Sequence, residues 1–167
     1  MVMSTVYNIN DIVDYVILRA YQEDDNSLLI NLKLQKIMYY IQAWSLGIRK
    51  CVFFNGKFQA WIHGPVSISI YERFKDTKTL YSIINTTDVY NKSVFDSIKK
   101  EDSDFIDFIL ENYMCFSGVE LENMTHSELP WQEARIGFKP TERCAKEISE
   151  ETMKSFYGKK WENLINR

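Results

Sequence analysis

The sequence predicts a mainly α fold: a single compact helical domain around a central buried helix, with one small β-hairpin. Three observations predict it. Leu34 to Ile48 is apolar around most of a helical circumference, and such a helix normally has other helices packed around it. Several further segments place apolar residues at helical spacing behind recognisable caps. A period of two appears only in two short runs beside Asn55-Gly56.

The 167 residues, 46% apolar and 14% aromatic, are enough to bury a real core and argue against disorder. We expect one domain over residues 1–167, its core from about 9 to 157. Taking the chain in order, Asn10 is placed to cap a first helix, with Asp11 and Asp14 in the first turn near the positive end of its dipole. Ile12, Val13, Val16, Ile17 and Ala20 form its apolar stripe, and it ends near Tyr21. Gln22 to Ser27 reads as an acidic loop.

In the central helix Leu34, Ile37, Met38, Ile41, Trp44 and Ile48 share one face, and Tyr39, Tyr40, Ala43 and Leu46 fill much of the rest. We expect Leu34, Ile37, Ile41 and Trp44 in the core. A narrow polar stripe remains: Gln35, Gln42 and Arg49 at seven-residue intervals, with Lys33 and Lys36. Asn55-Gly56 then suits a tight primed turn between Val52–Phe54 and Phe58–Ile62. Phe58, Ala60 and Ile62 point one way; Lys57, Gln59, Trp61 and His63 point the other. Gly64 permits a sharp change of direction, and Pro65 suits the first turn of a helix carrying Val66, Ile70, Tyr71 and Phe74.

From Asp76 to Ile98 no period holds, which predicts a mostly irregular excursion of the kind that often carries function. Order returns at Lys99–Tyr113, where Phe105, Ile106, Ile109, Leu110 and Tyr113 have helical spacing beneath an acidic face. Ser117 and Glu120 have capping-box spacing. Pro130 opens a short turn to Arg135, and Gly137–Glu147 is a loop. Ser149 caps a last helix, stapled by Ile148 and Met153, that Gly158 should end after Tyr157, leaving a short tail.

Chemistry is sparse. His63 and His126 are the only histidines, and no pair has metal-ligand spacing. His126 and Ser127 are neighbours, which on a helix face different ways, so Thr125, His126 and Glu128 read as ties to backbone groups before Pro130 rather than as the machinery of a hydrolase. The six glycines form no phosphate-binding loop. Cys51, Cys115 and Cys144 are odd in number and widely spaced, which predicts reduced thiols. We therefore expect no enzyme, no cofactor and no metal. The formal charge of −3 gives no pull toward nucleic acid, and core packing accounts for Lys33, Lys36, Tyr39 and Tyr40 better than a stacking surface does. No apolar run is long enough for a bilayer and no secretory leader is visible, so a cytoplasmic protein without membrane contact is expected. Four Trp and ten Tyr instead suggest a binding surface, because these residues dominate protein-binding hot spots.

LKLQKIMYYIQAW, then FQAWIHGPVSISIYERFK, then THSELPWQEAR, in that order and at these separations, resembles the Panacea domain, the SocA-like antitoxin and phage-associated protein family. The resemblance runs from about Ile9 to Tyr157. Its motif falls on Leu34, Gln35, Lys36, Tyr39, Tyr40, Trp44, Trp61, Gly64, Pro65, Val66, Tyr71, His126 and Trp131, positions expected to be mostly structural. His63 departs from the tyrosine more usual before the Gly-Pro pair. The resemblance implies an antitoxin of a bacterial or prophage toxin–antitoxin pair that neutralises its cognate toxin by direct protein contact. The alternative it implies is a proteolytic adaptor that delivers a bound protein to an AAA+ protease. For the toxin-binding surface the sequence offers Lys57, Gln59 and Trp61 on the hairpin and Tyr81 and Tyr90 in the excursion.

Overall fold

Every residue from Leu32 to Gly47 is buried in the computed structural model, which describes residues 4–22 and 28–167. Those sixteen residues belong to α2 (Asn31–Trp44) and the π-helical turn that continues it, Ser45–Arg49. Around α2 stand α1 (Ile9–Ala20), α4 (Lys100–Tyr113), α5 (Gly118–His126), α7 (Glu150–Ile165) and the hairpin strand β2 (Gly64–Ser67), all in contact with it. β1 (Phe58–Trp61), α3 (Ile68–Phe74) and α6 (Leu129–Ala134) complete the regular elements among the described residues. The architecture is thus mainly helical with one two-stranded antiparallel hairpin, as predicted. Leu34, Ile37 and Ile41 are fully buried, and Trp44 nearly so.

The polar stripe of α2 is buried too. Gln42 presents Nε2 to the Phe54 carbonyl (2.9 Å) and accepts the Phe53 amide on Oε1 (2.8 Å). Lys33 donates to the Met114 carbonyl at 2.6 Å, and Arg49 pairs with the buried Asp102 at 2.6 Å. A buried polar group is tolerable only when hydrogen-bonded, and each of these serves backbone or charge that would otherwise be unpaired.

Several boundaries differ from expectation. Asn8, not Asn10, caps α1, accepting the Asn10 amide on its side chain. Asn55-Gly56 does not turn the hairpin. Residues 53–55 pair instead with Tyr7, whose amide donates to the Phe53 carbonyl and whose carbonyl accepts from Asn55, while Asn55 Oδ1 receives the Ile9 amide. The hairpin lies one step later: Trp61 pairs with Gly64 and Phe58 with Ser67 across the two-residue loop Ile62-His63. Pro65 therefore sits in a strand, and α3 begins at Ile68 behind the Ser67 cap. Phe58 and Ala60 are buried and Gln59 and Trp61 half-buried, the alternation expected of β1. Gly158 does not end the last helix, which runs on to Ile165. It lies where α7 crosses the π-helical turn: a Cβ on Gly47 would stand 2.6 Å from Tyr157 Cβ, and one on Gly158 would stand 3.3 Å from the Gly47 carbonyl oxygen. Close helix approach, rather than termination, explains this glycine.

The excursion is irregular, as predicted, with two short 3₁₀ turns at Thr86–Asp88 and Val94–Ser97. It is nonetheless pinned down. Ile84, Val89, Val94 and Ile98 are buried, and the buried Asp14 carboxylate receives the Tyr90 and Asn91 amides (3.2 and 2.8 Å) while pairing with Arg73. The Ser117–Glu120 capping box and the Ser149 cap form as read, and Ile148 and Met153 are buried. The predicted acidic loop lies, from residue 23 to residue 27, outside the described residues. All three cysteines are free, and no helix among the described residues is long and apolar enough to cross a membrane.

Candidate functional site

Side chains of four helices hold the hairpin. On its inner edge Gln35 takes the place of a neighbouring strand: its Nε2 donates to the Ser67 carbonyl (3.2 Å) and its Oε1 accepts the Ser67 amide (2.9 Å). One residue on, Lys36 donates Nζ to the Pro65 carbonyl at 3.2 Å. Lys36 is fully buried, and burial pushes its pKa down to about 7, with the Glu122 carboxylate acting in the opposite sense. Gly64 is required here on two grounds. Its φ of +89° is left-handed, and a Cβ would stand 2.5 Å from Lys36 Cε and 2.8 Å from Thr125 Oγ1.

The outer strand is held from α6. Trp131 donates its indole N–H to the Trp61 carbonyl (2.9 Å), and the buried Arg135 donates to the Ala60 carbonyl (2.8 Å). His126 stacks on Trp131 with ring centroids 4.0 Å apart. Burial lowers its pKa, so the ring is neutral near pH 7. The second edge of β1 is covered by residues 146–148: Ala60 donates to the Lys146 carbonyl, and Ile148 to that of Phe58.

Behind this lies a buried carboxylate among aromatic rings. Glu128 accepts the Tyr40 hydroxyl on Oε1 (2.5 Å) and Lys160 on Oε2 (3.1 Å). Tyr40 stacks on Tyr113 at 4.1 Å, and Tyr113 in turn accepts the Trp44 indole N–H at 2.7 Å. Burial raises the pKa of Tyr39, Tyr40, Tyr113 and Tyr157, keeping all four hydroxyls protonated. His126 and Glu128 serve separate partners, Trp131 for one and Tyr40 with Lys160 for the other. Among the described residues no group of three or more His, Cys, Asp or Glu could hold a metal.

The motif positions thus divide between the hairpin with its braces and the aromatic cluster around Glu128. Leu34, Gln35, Lys36, Tyr39, Tyr40, Trp44, Gly64, Pro65 and Val66 are buried, and His126 and Trp131 half-buried. Trp61 and Tyr71 are the more open pair. They meet edge to face at 5.1 Å, Tyr71 being 41% exposed. They open onto a half-enclosed groove of about 630 Å³, bounded by the hairpin loop, α3, the start of the excursion at Lys78–Leu80, and the loop at Arg143–Ala145. A concave site of this size, largely apolar with a few polar groups, is the usual form of a binding site.

The surface residues singled out in the sequence are spread more widely. Trp61 lines the groove, its indole N–H donating to Gln59 Oε1 at 2.8 Å. Lys57 pairs with Glu150 at 2.8 Å. Tyr81 is 60% exposed and follows the groove residue Leu80. Tyr90 is 69% exposed but stands apart beside α3, with the Arg73 guanidinium 3.8 Å from its ring centroid. Lys78 and Leu80 on the groove's other wall belong to the excursion from Asp76 to Asn91 that the sequence offers as a binding surface, whereas Arg143 is not singled out there, because irregular backbone brings its loop to Trp61.

Residues 34–132, more than half of the chain, match the family described as antitoxin SocA-like, Panacea domain. The chain belongs to that family. The match is narrower than the resemblance anticipated, starting and ending within α2 and α6 and leaving α1 and α7 outside. No curated protein and no solved structure matches the chain significantly.

Proposed function

We propose that this protein is a non-enzymatic antitoxin that neutralises a cognate toxin by binding it directly, through a surface that includes the Trp61–Tyr71 groove. Family membership supports the antitoxin reading. The observation that carries the binding surface is that the motif residues Gln35, Lys36 and Trp131 are spent on fixing the hairpin backbone, while Trp61 and Tyr71 remain open on a groove of about 630 Å³. Paired aromatics on a rigid support bind partners with little ordering cost. Lys57, Gln59 and Tyr81 would extend this surface at its margins, and Tyr90 would form a separate contact. Co-expression tests the reading. The product of the adjacent gene should arrest growth alone, be silenced by this chain, and co-purify with it; a toxic product neither silenced nor bound defeats it.

A second reading, a proteolytic adaptor for an AAA+ protease, draws on the outer face of α4, where Glu101, Asp104 and Glu111 are exposed with Phe108. An adaptor would act below one-to-one and lose effect in a protease-deficient host. A blocking antitoxin would do neither.

A further inference from the structure

The described residues lining the groove include no carboxylate, whereas His63, Lys75, Lys78 and Arg143 stand around it. Two of these side chains are occupied by the chain itself: Lys78 pairs with Asp88 at 3.2 Å, and His63 Nδ1 lies 3.1 Å from Glu122. Among the described residues Lys75 pairs only with Glu72, an exposed side chain one turn back, and such surface pairs hold weakly. Arg143 is exposed and takes part in no hydrogen bond or ion pair among the described residues. The protein as a whole carries −3, so this positive rim is local and not the by-product of a basic chain. Between the cations the floor is apolar, made by Ile62, Val66 and Leu80 beside the Trp61–Tyr71 pair.

We propose that the groove receives an acidic, apolar-anchored peptide segment of the partner: an aromatic or aliphatic side chain seated on Trp61 and Tyr71, flanked by Asp or Glu that reach Arg143 and Lys75. This rests on the reading that the chain binds a protein. Opposite charges at a rim steer association and exclude wrong partners, while the apolar seat supplies the contact area. A nucleic acid fits less well. The floor is aliphatic, the two rings meet at 61° instead of offering parallel stacking faces, and the overall charge is negative.

Selection of random peptides displayed on phage against the full chain tests this even while the partner is unidentified. Selected peptides should share Asp or Glu on either side of an aromatic or aliphatic residue. They should bind Trp61→Ala and Arg143→Glu at least about tenfold more weakly, and Lys-for-Glu versions of the same peptides should regain affinity for Arg143→Glu. Arg143 is exposed, so that variant should melt with the wild type. Selected peptides without acidic residues, equal binding to the variants, no selectable peptide, or tighter binding of a mixed-sequence single-stranded oligodeoxynucleotide would each overturn the proposal. Co-expression with the toxin separates the two readings. Neutralisation that survives Arg143→Glu and Trp61→Ala removes the groove while leaving the antitoxin. Acidic peptides selected by a chain that neutralises nothing keep the groove chemistry and remove the antitoxin.

Discussion

Replacing Gln35 with Met would remove both hydrogen bonds on the inner edge of β2 while nearly conserving side-chain volume. Gln35 is 4% exposed and Ser67 1%, so water cannot take over. The Ser67 N–H and C=O would be left buried without partners, each at a cost of about 1–3 kcal/mol. Met fills the space flexibly and adds little cavity cost. The expected loss is therefore about 2–6 kcal/mol. For a chain of this size, where 1 kcal/mol shifts the midpoint by about 2–4 °C, the melt should fall by roughly 4–24 °C. Urea titration gives the free energy, and amide hydrogen exchange localises it, because the Ser67 amide should exchange much faster while that of Ile41 follows the global change alone. A melt matching wild type, or undiminished protection at Ser67, would show that the glutamine does not stand in for a strand and refute the reasoning.

Gly47→Ala places a Cβ 2.6 Å from Tyr157 Cβ and 2.7 Å from its carbonyl carbon, so α7 must shift; a loss of about 1–3 kcal/mol is expected by denaturant titration. Lys36 gives a pH signature. Its folded-state pKa of about 7 lies below the ordinary lysine value of 10.5, so from pH 7 upward the unfolded chain binds more protons and stability rises with pH. Above about pH 10 the raised pKa values of the buried tyrosines reverse the trend, because the unfolded chain then loses protons that the folded one keeps. Urea melts from pH 7 to 9.5 should show the rise, at most about 1.4 kcal/mol per pH unit, and Lys36→Met should flatten it. Tyr81→Ala should weaken toxin binding with an unchanged melt. Tyr90→Ala should also lose about 0.5–1 kcal/mol of stability, because its ring faces the Arg73 guanidinium.

What the sequence made legible was what neighbours in the chain decide. The Ser117–Glu120 box and the Ser149 cap are local hydrogen bonds, and the burial of Ile37 and Ile41 follows from spacing along one helix. Asn55-Gly56 misled because a partner far away in sequence, Tyr7 with Ile9, claims that backbone; the local turn preference is worth less than those hydrogen bonds. Gly64-Pro65 misled for the converse reason. A proline opening a helix and a proline in a strand look alike until Gln35 and Lys36 are seen to serve the β2 backbone. The narrow Gln35–Gln42–Arg49 stripe is a row of braces, Gln35 and Gln42 buried and Arg49 half-buried, a role its seven-residue spacing alone does not reveal. Of the groove, Trp61 and Tyr71 were visible as motif residues. Arg143 gave no signal, since the loop carrying it has neither periodicity nor a cap.

The claim that this chain silences a toxin by direct binding is tested most directly by titration. A fixed amount of the purified toxin, assayed for its own activity, is mixed with increasing amounts of the purified chain in the absence of any protease. Activity should fall linearly to an end point near one chain per toxin, and Trp61→Ala, folded as the wild type, should blunt that end point. Activity that persists at a large excess of the wild-type chain would contradict it.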